Sequence, residues 1–269
     1  MYLSANTNGL KFLSVRDAIS TLYAMGITEI EITTDGGVHV YPVLSEAIET
    51  EDIRAIVAFV ANTSALPGRV SALSGGWCDF YTNDTKFFLS QSILCELAVI
   101  GRLRMFLHNP HNTVALNTAN VNTIISNIQE TYVANGGVNP NIALCFETHG
   151  GISINAGAMT DIMESLTANE ANVGITLDPA NLLRFGVDPL KFLEKTRKWV
   201  RHVHVKDYSI RREEYCCPGK GDVDWKSIFL KLGTTCYKGA LSVEYEGATF
   251  SAQPLTEYVI ATEEILRGI

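Results

Sequence analysis

Three carboxylates and one imidazole recur along the second half of this chain at intervals of roughly one β-α unit: Glu147, Asp178, His204 and Glu244. If an alternating β/α fold delivers its strand ends to a common centre, these four side chains form a divalent-metal site. Hard oxygen donors with one nitrogen and no thiolate suit manganese, magnesium, cobalt or zinc at five- or six-coordination, and they disfavour a closed structural zinc. Open coordination positions point to catalysis. Taken singly, each residue has a plainer explanation: Asp178 stands before Pro179, where an aspartate caps a helix or starts a turn. Only the four together support the metal reading.

The segment VRHVHVKDY, residues 200 to 208, shows how such residues are presented. Strand side chains alternate with period two, so His202, His204 and Lys206 share one face and Val203 and Val205 the other. A single buried histidine is ordinary, but three polar residues on one face need a polar destination. His204 holds a ligand's position. His202 lies deeper, in support, and Lys206 stands nearer the mouth.

The elements that would position these residues alternate in type. Candidate strands cover 1–7, 28–33, 69–75, 103–108, 141–149, 173–178, 200–206 and 239–246, and candidate helices cover 15–25, 50–62, 84–100, 114–134, 156–168, 188–195, 224–232 and 255–267. Strict β-α alternation predicts a parallel sheet with crossover helices. Eight units at this length predict a single (β/α)₈ TIM barrel over residues 1–269. A doubly wound open sheet competes, but no G-x-G-x-x-G follows the first strand. Residues 34–49 are expected to form a long loop beside the active site.

Composition bounds the function. The chain has 269 residues, 46% hydrophobic and 19% charged, as in ordinary globular domains. No apolar run reaches a membrane-spanning length, and the N-terminus lacks the basic start and apolar stretch of a secretory signal, so a cytoplasmic protein is expected. The six cysteines show no C-x-x-C pairing and are expected to be reduced thiols. A formal net charge of −8 opposes binding to nucleic acid and leaves small neutral or metal-bound ligands as the expected partners. A homo-oligomer is compatible with the chain.

The segments LCFETHGG (144–151), GITLDPANLL (174–183), VRHVHVKDY (200–208), GKGDVDWKSIFLKL (219–232) and GALSVEYEG (239–247) together resemble the xylose-isomerase-like TIM-barrel superfamily of sugar and sugar-phosphate isomerases and epimerases. The resemblance is specific over 141–247 and topological before it. It implies that Glu147, Asp178, His204 and Glu244 bind one divalent metal ion, with manganese the first choice and magnesium, cobalt or zinc the alternatives. It further implies a metal-stabilised enediolate, with Glu147 and Glu244 as catalytic bases on opposite sides of the substrate. Two bases on opposite faces suit epimerisation, and transfer on one face suits an aldose-ketose shift.

His149, two residues past Glu147, shares its inward direction and is expected to meet a substrate hydroxyl. Lys206 is expected to bind substrate oxygen or pair with a carboxylate, with Glu246 as its partner. Asn181, His108 and Trp77 are further substrate-side candidates, and Phe80 is a candidate pocket wall. In GKGDVDW the glycines permit a tight turn and Trp225 starts the next helix. Many relatives carry an acidic residue where this chain has Lys220, a difference that favours a phosphorylated or acidic substrate.

Apurinic-site DNA endonucleases share the expected fold but need further histidines. Asn181 and the run Glu213, Glu214 and Tyr215 occupy those places, which argues against DNA repair. The nearer competitor to an isomerase or epimerase is a metal-dependent dehydratase or lyase acting on an inosose, a keto-sugar or a 3-keto-glycoside, because the same enediolate can expel a β-leaving group. A noncatalytic carbohydrate-binding barrel ranks last, since all four expected ligands are present.

Overall fold

The computed structural model describes residues 1–33, 69–74, 102–106, 143–168, 172–246 and 252–269. The loop expected over 34–49, the helices expected over 50–62, 84–100 and 114–134, and Trp77, Phe80 and His108 lie outside the described residues.

Ten strands are described: β1 (Tyr2–Asn6), β2 (Glu29–Thr33), β3 (Arg69–Ser74), β4 (Arg102–Phe106), β5 (Ala143–Glu147), β6 (Val173–Leu177), β7 (Val200–Val205), β8 (Asp207–Ser209), β9 (Glu214–Cys216) and β10 (Ala240–Val243). Eight of them close a parallel barrel in the order β1-β10-β7-β6-β5-β4-β3-β2, and β8 and β9 form a separate antiparallel hairpin. The expected α/β barrel is the observed fold. Closure pairs the first strand with the last, Tyr2 opposite Ala240 and Ser4 opposite Ser242.

The described helices are α1 (Val15–Ala24), α2 (Ala156–Ala168), α3 (Pro179–Arg184), α4 (Pro189–Thr196), α5 (Trp225–Thr234) and α6 (Ala252–Arg267). None of them is long and apolar enough to cross a membrane. Their starts follow from local chemistry. Ser14 accepts the Asp17 N–H at 3.1 Å ahead of α1, and Asp188 accepts those of Leu190 and Lys191 at 3.0 and 3.1 Å ahead of α4. The short α3 goes beyond the sequence expectation of a cap or turn at Asp178: Asp178 caps it, and Pro179 stands in its first turn.

β5 and β10 end about two and three residues earlier than the alternating pattern suggests. β5 stops at Glu147, because Gly150 and Gly151 follow with φ of 108° and 55° and turn the chain away, leaving His149 beyond the strand. β10 stops at Val243, so Glu244 and Glu246 also stand past the last strand residue, although the Glu244 N–H still bonds to the Val205 carbonyl at 3.1 Å.

The barrel separates two environments. Ile30, Ile32, Leu73, Phe146, Ile175, Leu177, Val203, Val205, Leu241 and Val243 are buried in the apolar core. Ser4, Asn6, Glu31, Ser74, Arg104, Glu147, Thr176, His202, His204 and Ser242 are equally buried but polar. Strands buried on both faces of a parallel sheet ordinarily read as continuous apolar runs. Here they alternate because the inside holds a polar network, although the hydroxyls of Ser4 and Thr176 find no hydrogen-bond partner among the described residues.

The loop after β7 is organised by one carboxylate. Asp207 accepts the backbone N–H groups of Tyr208, Gly219 and Val223 at 2.8, 2.8 and 3.0 Å. Gly221 lies against it so closely that a Cβ there would stand 2.3 Å from Asp207 Oδ1 and 2.6 Å from the Tyr208 carbonyl oxygen. The glycine therefore serves close approach as well as turning. Asp224 then caps α5, and Trp225 at its first position is buried against Phe229.

Candidate metal centre

Glu147, Asp178, His204 and Glu244 each place one donor atom within 4.8 Å of the others'. β5 ends at Glu147, β6 is followed at once by Asp178, β7 contains His204 and β10 is followed by Glu244, so neighbouring strands deliver all four at one height. His204 Nδ1 is central, 3.2 Å from Glu244 Oε2, 3.4 Å from Glu147 Oε1 and 3.9 Å from Asp178 Oδ2.

The other imidazole nitrogen is already committed. His204 Nε2 meets Glu31 Oε1 at 3.1 Å, and His202 Nε2 meets Glu31 Oε2 at 2.9 Å. Ser74 Oγ donates to Oε1 at 2.5 Å and Ser242 Oγ to Oε2 at 2.7 Å. Four donors thus fill the roughly four lone-pair positions of the ionised carboxylate. Since a carboxylate only accepts, Nε2 carries a proton; burial opposes a second one, but Glu244, Glu31 and Glu147 outweigh it and hold the His204 pKa well above the ordinary imidazole value, so a cation at the centre would take the place of the proton on Nδ1.

Glu147 is held from two sides. Asn181 Nδ2 donates to Oε1 at 3.1 Å, and Arg104 Nε lies 3.1 Å from Oε2 while also donating to Ser74 Oγ at 2.9 Å. Burial works to raise the Glu147 pKa, but Arg104 and His204 bring it down to about 2. A closed circuit therefore runs from Glu147 through Arg104, Ser74, Glu31 and His204 back to Glu147.

Asp178 divides its oxygens. Oδ1 accepts the Asn181 N–H at 2.9 Å as the helix cap, while Oδ2 stands 2.8 Å from Lys206 Nζ. The cap accounts for Oδ1, and Oδ2 is the oxygen that faces His204 and the other candidate ligands. Burial, with Glu147 and Glu244 nearby, pushes its pKa up to about 6 despite Lys206.

Lys206 is fully buried, with Nζ at 2.8 Å from Asp178 Oδ2, Glu244 Oε2 and Glu246 Oε1 alike. Burial opposes its charge, but the three carboxylates outweigh that and hold its pKa well above the ordinary lysine value. Its ammonium also stands 4.8 Å from the centre of the Tyr215 ring. The Tyr215 hydroxyl in turn donates to Asn181 Oδ1 and accepts from Arg184 Nη1 at 3.1 Å.

These placements correct one expectation. Asn181 does not face a substrate: it is fully buried and both ends of its amide are taken, by Glu147 and by Tyr215. His149 is half-buried beyond β5, its backbone N–H bonded to Ser153 Oγ at 2.9 Å. Lys206 and Glu246 are a pair, and His202 supports Glu31. Glu31, Ser74, Arg104 and Ser242 escaped the sequence reading. A signal existed in EIEIT, where Glu29 and Glu31 alternate with Ile30 and Ile32 as the histidines alternate with valines in β7.

The donor set fits a divalent cation. His204 Nδ1 is a buried ring nitrogen without a hydrogen-bond donor or acceptor partner among the described residues, encircled by three carboxylates. Glu31, Glu147, Asp178, Glu244 and Glu246 outnumber the permanent cations Arg104 and Lys206 that face them. A cation at the centre would balance that excess. Among the described residues the cysteines Cys145, Cys216, Cys217 and Cys236 are free thiols and none belongs to the cluster.

Over residues 99–266 the chain matches a family model described as a xylose isomerase-like TIM barrel. The inosose dehydratase of Clostridium perfringens is 30% identical over 141 residues, 46% of this chain and 47% of that protein. The chain thus spans about half the length of the curated relatives it matches. Two solved structures share the fold: the IOLI protein with a binding zinc atom (TM-score 0.71, 16% identity, 100% of this chain and 97% of that one) and a D-tagatose 3-epimerase-like protein (TM-score 0.70, 16% identity, 99% and 100%).

Proposed function

Because this chain belongs to the xylose isomerase-like TIM-barrel family, we propose that it is a divalent-metal-dependent dehydratase acting on a polyhydroxylated ketone of the inosose or keto-sugar class. Glu147, Asp178, His204 and Glu244 would hold the ion, with manganese first and magnesium, cobalt or zinc as alternatives for so oxygen-rich a set. The bound ion supplies Lewis acidity, polarising a carbonyl and acidifying the adjacent C–H.

The observation that carries dehydration is the buried Lys206 ammonium, 2.8 Å from both Asp178 and Glu244. A fixed positive charge beside the ligands, held on Lys206 by its three carboxylates, suits stabilising the negative charge that builds on a departing hydroxyl. Glu147 and Glu244 are weak bases for abstracting the C–H proton, because cationic neighbours hold both strongly acidic. Among the described residues His149, beyond the end of β5, suits the role: burial lowers its pKa, so the imidazole is neutral and able to take the proton next to the carbonyl and hand it to the departing hydroxyl, which leaves as water. The inosose dehydratase relative supports this reading over its half-length match.

A second reading returns the proton instead of losing water. Glu147 and Glu244 reach His204 Nδ1 from different strands at 3.4 and 3.2 Å, the arrangement a two-base isomerase or epimerase would use. Incubation of the metal-loaded protein with inososes, ketoses and sugar phosphates in deuterated water, followed by NMR, separates the two. Dehydration gives a product short of one water, whereas isomerisation or epimerisation leaves deuterium beside the carbonyl of an intact sugar. Neither signal with any of these substrates would sink both readings.

A further inference from the structure

The base of the barrel, opposite the metal-ligand end, carries a second concentration of charge. A cavity of about 990 Å³ opens there, lined by Arg102, Arg197, Lys198, Arg201 and Lys238, with no carboxylate among its described lining residues. Lys198 is drawn aside, over the Trp199 ring and to Glu164 at 3.2 Å. In a chain of net charge −8, such a concave cationic surface stands apart. Like charges gathered in a hollow repel one another unless an anion joins them.

Two irregularities of the barrel ladder aim side chains into this cavity. Between β2 and β3, Ile30 faces Val70 and Glu31 faces Ala72, so Ser71 has no register partner. Between β6 and β7, Ile175 faces Val200 and Thr176 faces His202, which leaves Arg201 unpaired in the same way. A bulge residue escapes strict alternation and is re-aimed. Both bulge residues line the cavity.

Each is also prepared locally. Ser71 is only 6% exposed, yet its hydroxyl has no hydrogen-bond partner among the described residues, where a buried hydroxyl ordinarily finds one. The stem of Arg201 occupies the place a side chain at 174 would take: a Cβ on Gly174 would lie 2.2 Å from Arg201 Cγ. Arg102 is steadied by its bond to the Tyr2 hydroxyl at 3.0 Å. Both guanidinium groups act on Cys145 above them. Burial pushes that thiol up to about 12, against the pull of Arg102 and Arg201.

We propose that this basal cavity binds the phosphate group of a small organic phosphate, gripped by Arg201 and Arg102 with Ser71 donating a hydrogen bond. Guanidinium forks match phosphate oxygens two at a time, and the volume is that of a small-ligand site. The test uses magnesium-loaded protein titrated with inorganic phosphate, followed by thermal unfolding and ³¹P line width, with chloride at matched ionic strength as control. Expected is a saturable rise in Tm beyond the chloride control. Arg201→Gln should weaken binding about tenfold or more, and Ser71→Ala less. Arg201→Lys, which keeps the charge and guards against misfolding of the glutamine variant, should fall between parent and Arg201→Gln. A phosphate response equal to chloride, or one undiminished in Arg201→Gln, overturns the proposal. A response abolished by Glu244→Gln at the other end of the barrel overturns it too, by assigning the anion to the metal centre.

Discussion

His204 Nε2 and Glu31 Oε1 meet at 3.1 Å across the barrel, although the two residues lie 173 positions apart in the chain. The contact fixes the Nε2 proton on the side away from the centre and turns Nδ1 toward Glu147, Asp178 and Glu244. Ligand orientation thus depends on a carboxylate that would touch no metal itself.

Glu31→Gln is therefore expected to lower manganese affinity by about 10- to 100-fold while the circular dichroism spectrum stays that of the parent. The amide nitrogen would face an imidazole N–H or a serine hydroxyl in place of an acceptor. Titration calorimetry gives the affinity, and an unchanged value would remove Glu31 from this role.

The divided duty of Asp178 can be resolved by two substitutions. Asp178→Asn keeps a capping side chain and Asp178→Ala does not, so the alanine protein should be less stable than the asparagine one by about 1 kcal/mol in urea unfolding without metal. Both should lose metal binding. Equal stabilities would mean that the cap at Asn181 contributes nothing.

Lys206→Met leaves Asp178, Glu244 and Glu246 facing one another without their ammonium. Breaking such a buried arrangement costs about 3–5 kcal/mol, and added divalent metal should recover part of it. In the deuterated-water assay the variant should lose water elimination more than exchange at the carbon beside the carbonyl. Equal loss of both would make Lys206 structural alone.

Gly221→Ala should destabilise the protein by about 1–3 kcal/mol, because its Cβ would press on Asp207 and on the Tyr208 carbonyl. Thermal unfolding measures the cost. A Tm equal to the parent's would show that the loop yields to the added methyl group.

Asp224 provides a pH test remote from the metal centre. The side-chain and backbone hydrogen bonds of Ser227 hold its pKa below the ordinary 3.8. A depressed folded value means that its contribution is present above 3.8 and is lost as pH falls through that lower value. The parent's Tm should accordingly fall more steeply on acidification below about pH 4 than that of Asp224→Asn. Parallel curves would contradict this.

Much of the fold was legible because period-two alternation and β-α spacing are local properties. The barrel strands after residue 140 match to within a few residues, with errors at ends such as His149 and Glu246, where glycine turns or a last ladder bond decide, while the β8–β9 hairpin has no counterpart in the alternating pattern. Trp77 and His108 fall outside the described residues and stay as expectations.

By itself, the sequence determined the barrel, the inward parity of β7 and the four side chains that share a strand-end height, since each follows from side-chain direction along one strand. Tertiary structure alone decided that Glu31 serves both histidines, that Asn181 holds Glu147 rather than a substrate, and that two bulges turn Ser71 and Arg201 into the barrel's base. Those outcomes depend on register between distant strands, and a one-residue slip reverses which face a side chain occupies. No local pattern in the chain carries that information.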